Sequence, residues 1–225
     1  MPLPSLTLNL QCETGRHILK QLLPQFDLMV ENFSPRILPR LGLSYEDLQP
    51  INPRLVRVSI SNFGQTGPYR DFAAADIVEY ALSGLMYVFG SNEREPLKHA
   101  LHQAQFKAGT NAASAAAIAL YHQAITGQGQ WVDVSIQECI ASGLRDSVSL
   151  YSYMGAVKRR QPSTHGDLPR DPVLAKDGYV VPVTMSVVDW ETIAEFQEAP
   201  ELKDSKYSTP ESRLENAGEL DEILT

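Results

Sequence analysis

The sequence predicts an α/β protein built on a parallel sheet, and two stretches carry that prediction. Between residues 26 and 61, short apolar runs alternate with helical segments, the order of strands joined by crossover helices. From Gln105 to Ser135 an alanine-rich helix runs through a glycine turn into a strand, QFKAGTNAASAAAIALYHQAITGQGQWVDVS. Ala108 to Ala124 is dominated by good helix formers, with Ile118, Leu120 and Tyr121 among them. Thr126-Gly127-Gln128-Gly129 ends the helix, because glycine reaches the left-handed conformation common at helix C-termini. Trp131 to Ser135 then alternates apolar and polar, as a strand with one buried face does. So many small side chains let this helix approach a neighbouring backbone closely, and the plain reading is a central packing helix.

In chain order, Ser5 to Leu10 alternates and predicts a short strand. Glu13-Thr14-Gly15-Arg16 opens a helix over His17 to Leu23, with Ile18, Leu19, Leu22 and Leu23 on one face. Phe26 to Val30 is an apolar run of buried parallel-strand type. After the loop at 31–35 come a helix at Arg36 to Leu41, a turn at Gly42, and a helix at Tyr45 to Gln49. Ser44 caps the last of these, with Asp47 placed to complete a capping box. Leu55 to Ser61 is the next strand, and Ala74 to Met86 a further helix. Arg159 to Asp171, rich in Pro, Gly and charge, predicts a linker. Beyond it lie a strand at Gly178 to Val183 and a helix at Asp189 to Glu198. The expected division is a large domain over 1–158, a linker at 159–175, and the start of a smaller α+β domain at 176–225.

Composition narrows the functional classes. The 225 residues carry a net charge of −8, with acids and bases interspersed, and no basic stripe for nucleic acid. Cys12 and Cys139 lie far apart, outside any ligand spacing, as reduced thiols of an intracellular protein would. No apolar run reaches the roughly 18 residues that span a bilayer. The first ten residues lack the basic and apolar regions of a secretory signal, so no membrane contact and a cytoplasmic location are expected.

Little chemistry is legible from the residues alone. Asn62-Phe63-Gly64-Gln65-Thr66-Gly67-Pro68 lacks the lysine and hydroxyl of a nucleotide P-loop, and suits a plain turn as well as a ligand loop. His99 and His102 have no third ligand-type neighbour, so no metal is expected. Ser61, Ser83 and Ser142 lack a nucleophile-elbow context. Asn32 and Phe33 follow a strand, where open α/β sheets bind ligands.

Four stretches resemble the class III CoA-transferases, a family that includes formyl-CoA:oxalate and carnitine CoA-transferases. They are LTLNLQCETGR (6–16), the run from Asp27 to Met86 containing ENFSPRILPRLGLSYEDLQPINPRLVRVSISNFGQTGPYRD, ITGQGQWVDVSIQECI (125–140) and KDGYVV (176–181). The resemblance implies a Rossmann-like large domain, a smaller second domain, and interlocked dimers. It also implies that the family's first strand precedes this chain and that the return to the large domain follows it.

The chemistry implied is acyl transfer between an acyl-CoA and a carboxylic acid. An aspartate attacks the thioester, and its mixed anhydride stays activated where a serine ester would not. In the family that aspartate lies four residues before a glycine at the start of the TGxGQ helix. The glycine corresponds to Gly109, so the nucleophile position is Gln105, and no Asp or Glu lies between Lys98 and Gly109. The resemblance extends to the aspartate-lacking subunit of benzylsuccinate-type CoA-transferases. The expected assembly is a heterodimer with an aspartate-bearing homologue, or else a homodimer. An inactive relic, a CoA-binding or dimerisation module, and an isomerase-like member are the alternatives. Coenzyme A contacts implied by the family fall at Asn32, Phe33, Ile37, Arg40 and Leu41, and Asp76 matches a commonly acidic position near the active site.

Overall fold

The computed structural model describes residues 5–160, 173–180 and 190–224. The chain divides into two units, Met1–Phe89 with Leu97–Lys158, and Gly90–Pro96 with Arg159–Thr225. The first unit contains α1 (Glu13–Leu22), β1 (Leu28–Glu31), α2 (Ile37–Arg40), α3 (Tyr45–Leu48) and β2 (Val56–Ser61). It continues with α4 (Asp76–Leu82), α5 (Leu85–Val88), α6 (Gln103–Thr126), β3 (Trp131–Ser135), α7 (Ile136–Ala141) and α8 (Arg145–Met154). Its sheet has the order β1-β2-β3 with every pairing parallel, Val30 opposite Val58 and Val58 opposite Val132. The α/β class with a parallel sheet is therefore what the chain adopts.

Alanine spacing decides how α6 sits. Ala112, Ala116 and Ala119 recur along one face and pack on Val56, Val58 and Val134 of the sheet. Ala104 and Ala108 extend the same face to Tyr80, Ile136 and Ile140, joining α4, α6 and α7. The opposite face leaves Ile118 and Tyr121 about 70% exposed, so the helix is apolar on both sides (71% and 70%). A separate leucine cluster, Leu23, Leu38, Leu43, Leu48 and Leu55, seats α2 and α3. The capping box of α3 forms between Ser44 and Asp47 as its sequence predicts. Gly129 is required for a different reason: an added Cβ would lie 2.1 Å from the Leu55 carbonyl oxygen.

Three expectations are corrected. Residues 5–10 form no strand; Asn9 turns the chain instead, its side chain accepting from Gln11 N and its carbonyl from Cys12 N. Alternation without a partner in the β1-β2-β3 ladder yields no strand. The single helix expected over 74–86 is two, α4 and α5, because Gly84 takes φ +82 between them. The helices α7 and α8 follow β3 where none was predicted.

The second unit holds a hairpin of β4 (Val173–Ala175) and β5 (Gly178–Val180), then α9 (Trp190–Phe196), α10 (Pro210–Glu215) and α11 (Ala217–Leu224). Its core is Ala194, Leu202, Tyr207 and Leu220. Most of the expected linker, the strand residues 181–183, and the loop at 165–167 lie outside the described residues. Among the described residues no helix is long and apolar enough to cross a membrane.

Candidate active site

A cavity of about 750 Å³ opens at the carboxyl ends of β1 and β2, the position at which open parallel sheets take ligands. Its lining brings together the loop after β1, α2, the end of β2, residues 70–74, and the first turns of α6. Of the residues predicted from sequence, Asn32, Phe33, Ile37, Arg40 and Gln105 all line it. Leu41 does not: it is half-buried against the leucine cluster and supports α2 from beneath. Asp76 does not line it either, and lies one layer behind.

The loop after β1 is anchored by Glu31. One carboxylate oxygen accepts from Phe33 N at 2.9 Å and the other from Arg57 Nη2 at 3.1 Å. Both charged side chains are nearly inaccessible, 4% and 3% exposed. Arg57 also donates to the Leu43 carbonyl and lies over the Trp131 ring at 5.5 Å. Trp131 in turn stacks on Tyr45 and donates to Ser59 Oγ. Sequence reasoning missed this network. The available signal was a charged residue inside the strand VRVSIS, because a buried guanidinium needs a partner.

Three arginines, Arg36, Arg40 and Arg70, stand on the cavity wall. Arg36 is committed to Asp71 at 2.5 Å, and that hydrogen bond holds the Asp71 carboxyl below its ordinary range. Arg70 donates to the Pro35 carbonyl. The Arg40 side chain is exposed and makes no hydrogen bond or ion pair among the described residues. It is thus available to an anion.

Behind the opposite wall, α4 presents two buried acids. Asp76 caps α6 from outside it: Oδ1 accepts from Ala104 N at 3.1 Å, and Oδ2 pairs with Lys98 Nζ at 2.9 Å. A carboxylate beside the free N–H groups of a helix start is favourable. With its amide nitrogen facing these acceptors, Gln105 donates to Asp76 Oδ1 at 2.8 Å and to the His102 carbonyl at 3.2 Å. Glu79 is 1% exposed, and burial followed by the charge of Asp76 pushes its carboxyl up to about 7. Asn62, on the cavity wall, donates to Glu79 Oε1 at 3.1 Å and accepts from Ala74 N at 3.0 Å. His99 is absorbed by packing, hydrogen-bonded to Tyr80 Oη and edge-on to Phe89. Among the described residues no three His, Cys, Asp or Glu side chains gather as a metal site.

The profile of CoA-transferase family III matches residues 4–225. The chain belongs to that family. It is 31% identical over 224 residues to the succinyl-CoA–D-citramalate CoA-transferase of Chloroflexus aurantiacus, covering 98% of this chain and 56% of that protein. It is 33% identical over 208 residues to the BbsE subunit of succinyl-CoA:(R)-benzylsuccinate CoA-transferase from Thauera aromatica, covering 88% and 50%. Among solved structures, a CAIB/BAIF family protein from Brucella suis superposes with a TM-score of 0.80 at 29% identity, over 96% of this chain and 58% of that one. The chain spans about half to three fifths of the length of these relatives.

Proposed function

We propose that the cavity binds coenzyme A or its acyl esters, and that this chain is the CoA-positioning, non-acylating member of a class III CoA-transferase. The carrying observation is the state of position 105. Gln105 lines the cavity, its nitrogen tied to Asp76 and the His102 carbonyl, and the family resemblance gives this position to the nucleophile. An amide so held forms no anhydride. Asp71, the one carboxylate among the described lining residues, is ion-paired to Arg36. Asp76 and Glu79 are buried behind the wall.

Ligand contacts follow from the same wall. Arg40 meets phosphate, while Phe33 and Ile37, 44% and 37% exposed beside it, offer apolar surface to a base or to pantetheine. Asn32 adds an amide, with the loop's shape fixed by Glu31. Leu41 contributes by seating α2.

Acyl transfer then requires a carboxylate from a dimer partner, an aspartate-bearing homologue. There the aspartate oxygen bonds to the acyl carbon, the C–S bond breaks, and CoA leaves as the thiolate. The relative named as a subunit of benzylsuccinate CoA-transferase supports this heteromeric reading.

The test is mass spectrometry of the chain, alone and co-expressed with an aspartate-bearing homologue, after succinyl-CoA and a hydroxylamine quench. Hydroxylamine turns an activated aspartyl carbonyl into a protein hydroxamate. The expected result is a mixed dimer labelled only on the partner. A hydroxamate on this chain, at Asp76 for instance, would overturn the reading.

A further inference from the structure

The Gln105 amide has two ends of opposite hydrogen-bonding character, and its surroundings decide which faces the cavity. Its nitrogen meets two acceptors, Asp76 Oδ1 at 2.8 Å and the His102 carbonyl at 3.2 Å. Neither can exchange roles with it. A backbone carbonyl never donates, and Asp76 Oδ1 already accepts from Ala104 N in a carboxylate ion-paired with Lys98. The nitrogen is therefore committed. The oxygen has no protein donor among the described residues, and it is the end that an exposed, cavity-lining Gln105 presents to a ligand.

Charge orients that ligand. Arg40, the wall arginine not tied to another group, draws the phosphates of a coenzyme A. The uncharged end falls to the part of the wall made by Ile60, Gln105, Ala108, Gly109 and Ile136. Free coenzyme A ends there in a thiol, a weak donor. An acyl-CoA ends in a thioester, which has no hydrogen on sulfur and adds a carbonyl acceptor.

We propose that Gln105, fixed by Asp76, makes this cavity selective for the free thiol of coenzyme A over its acyl thioesters. This rests on the reading of the cavity as a coenzyme A site and sharpens it: the chain holds the CoA that a partner's acylation releases, once the departing thiolate has taken a proton from solvent. An aspartate at 105 would meet the thioester as a nucleophile; the glutamine opposes an acceptor to an acceptor and favours the S–H.

Titration calorimetry with coenzyme A, S-ethyl-CoA and acetyl-CoA tests it. The ethyl thioether matches the acetyl group in size but lacks its carbonyl, which separates crowding from hydrogen-bond polarity. Coenzyme A should bind about fivefold or more tighter than acetyl-CoA, with S-ethyl-CoA between them. Gln105→Met removes the oxygen from an exposed side chain, together with the hydrogen bond to Asp76 Oδ1, and should bring acetyl-CoA level with S-ethyl-CoA. Asp76→Asn lets the amide turn, and should shrink or reverse the preference. Equal binding of coenzyme A and acetyl-CoA by the unaltered chain, or an unchanged ratio in Gln105→Met, overturns the proposal. Tight binding of all three ligands without discrimination would leave the cavity reading standing while this one falls. Binding of none removes both.

Discussion

The two walls of the cavity are each tied down by an ion pair, and the pairs differ in burial and balance. Behind the loop after β1, Glu31 and Arg57 match one acid to one base at 3.1 Å, 4% and 3% exposed. Behind the start of α6, Lys98 pairs with Asp76 at 2.9 Å, while the buried Glu79 has no ion pair among the described residues. The balanced pair leaves neither buried charge alone. The acid-rich wall leaves Glu79 without a cation, so its protonation becomes part of the fold's stability. The contrast also separates duties: the first wall shapes a loop for an anion, and the second turns one amide toward the ligand.

The largest expected effect lies on the balanced wall. Arg57→Met strands a buried Glu31 carboxylate and should cost about 3–5 kcal/mol in denaturant unfolding. Adding Glu31→Met should restore most of that loss, since an apolar pair no longer leaves a buried charge alone. A double variant as unstable as the single one would break the comparison.

Next in size is the titration of Glu79. Its folded-state value of about 7 exceeds the ordinary glutamate value, so the folded chain binds a proton that the unfolded chain has already released. The contribution is complete below about pH 4.3 and is lost as pH rises through 7, on the order of 3 kcal/mol at most. Glu79→Gln keeps an acceptor for Asn62 and should flatten this part of the stability profile. A profile that stays as steep in the variant would place the proton elsewhere.

Arg40→Ala should weaken coenzyme A binding tenfold or more in calorimetry while thermal stability stays unchanged, because its side chain holds nothing in the fold. The smallest effect belongs to Arg36→Ala. Its pair with Asp71 is solvent-exposed, so melting temperature should not move measurably, although Asp71 is then free to repel an anionic ligand.

What the sequence determined by itself is local or periodic. The alternation of strands and helices set the α/β class, glycine ended α6 at Gly127, and Ser44 with Asp47 capped α3, because periodicity and turn chemistry act over a few residues. Motif order carried the family, and counting carried Gln105 to the cavity wall. Arg57 inside an apolar strand was a signal of a buried partner that sequence reasoning passed over. The tertiary structure decided the rest: that the partner is Glu31 on the neighbouring strand, that Asp76 caps α6 and grips Gln105, that Glu79 takes Asn62, and that residues 5–10 stay outside the sheet. These contacts join segments 17 to 29 residues apart (62 to 79, 76 to 105), and they exist only once strand register and helix docking bring those side chains within hydrogen-bond reach.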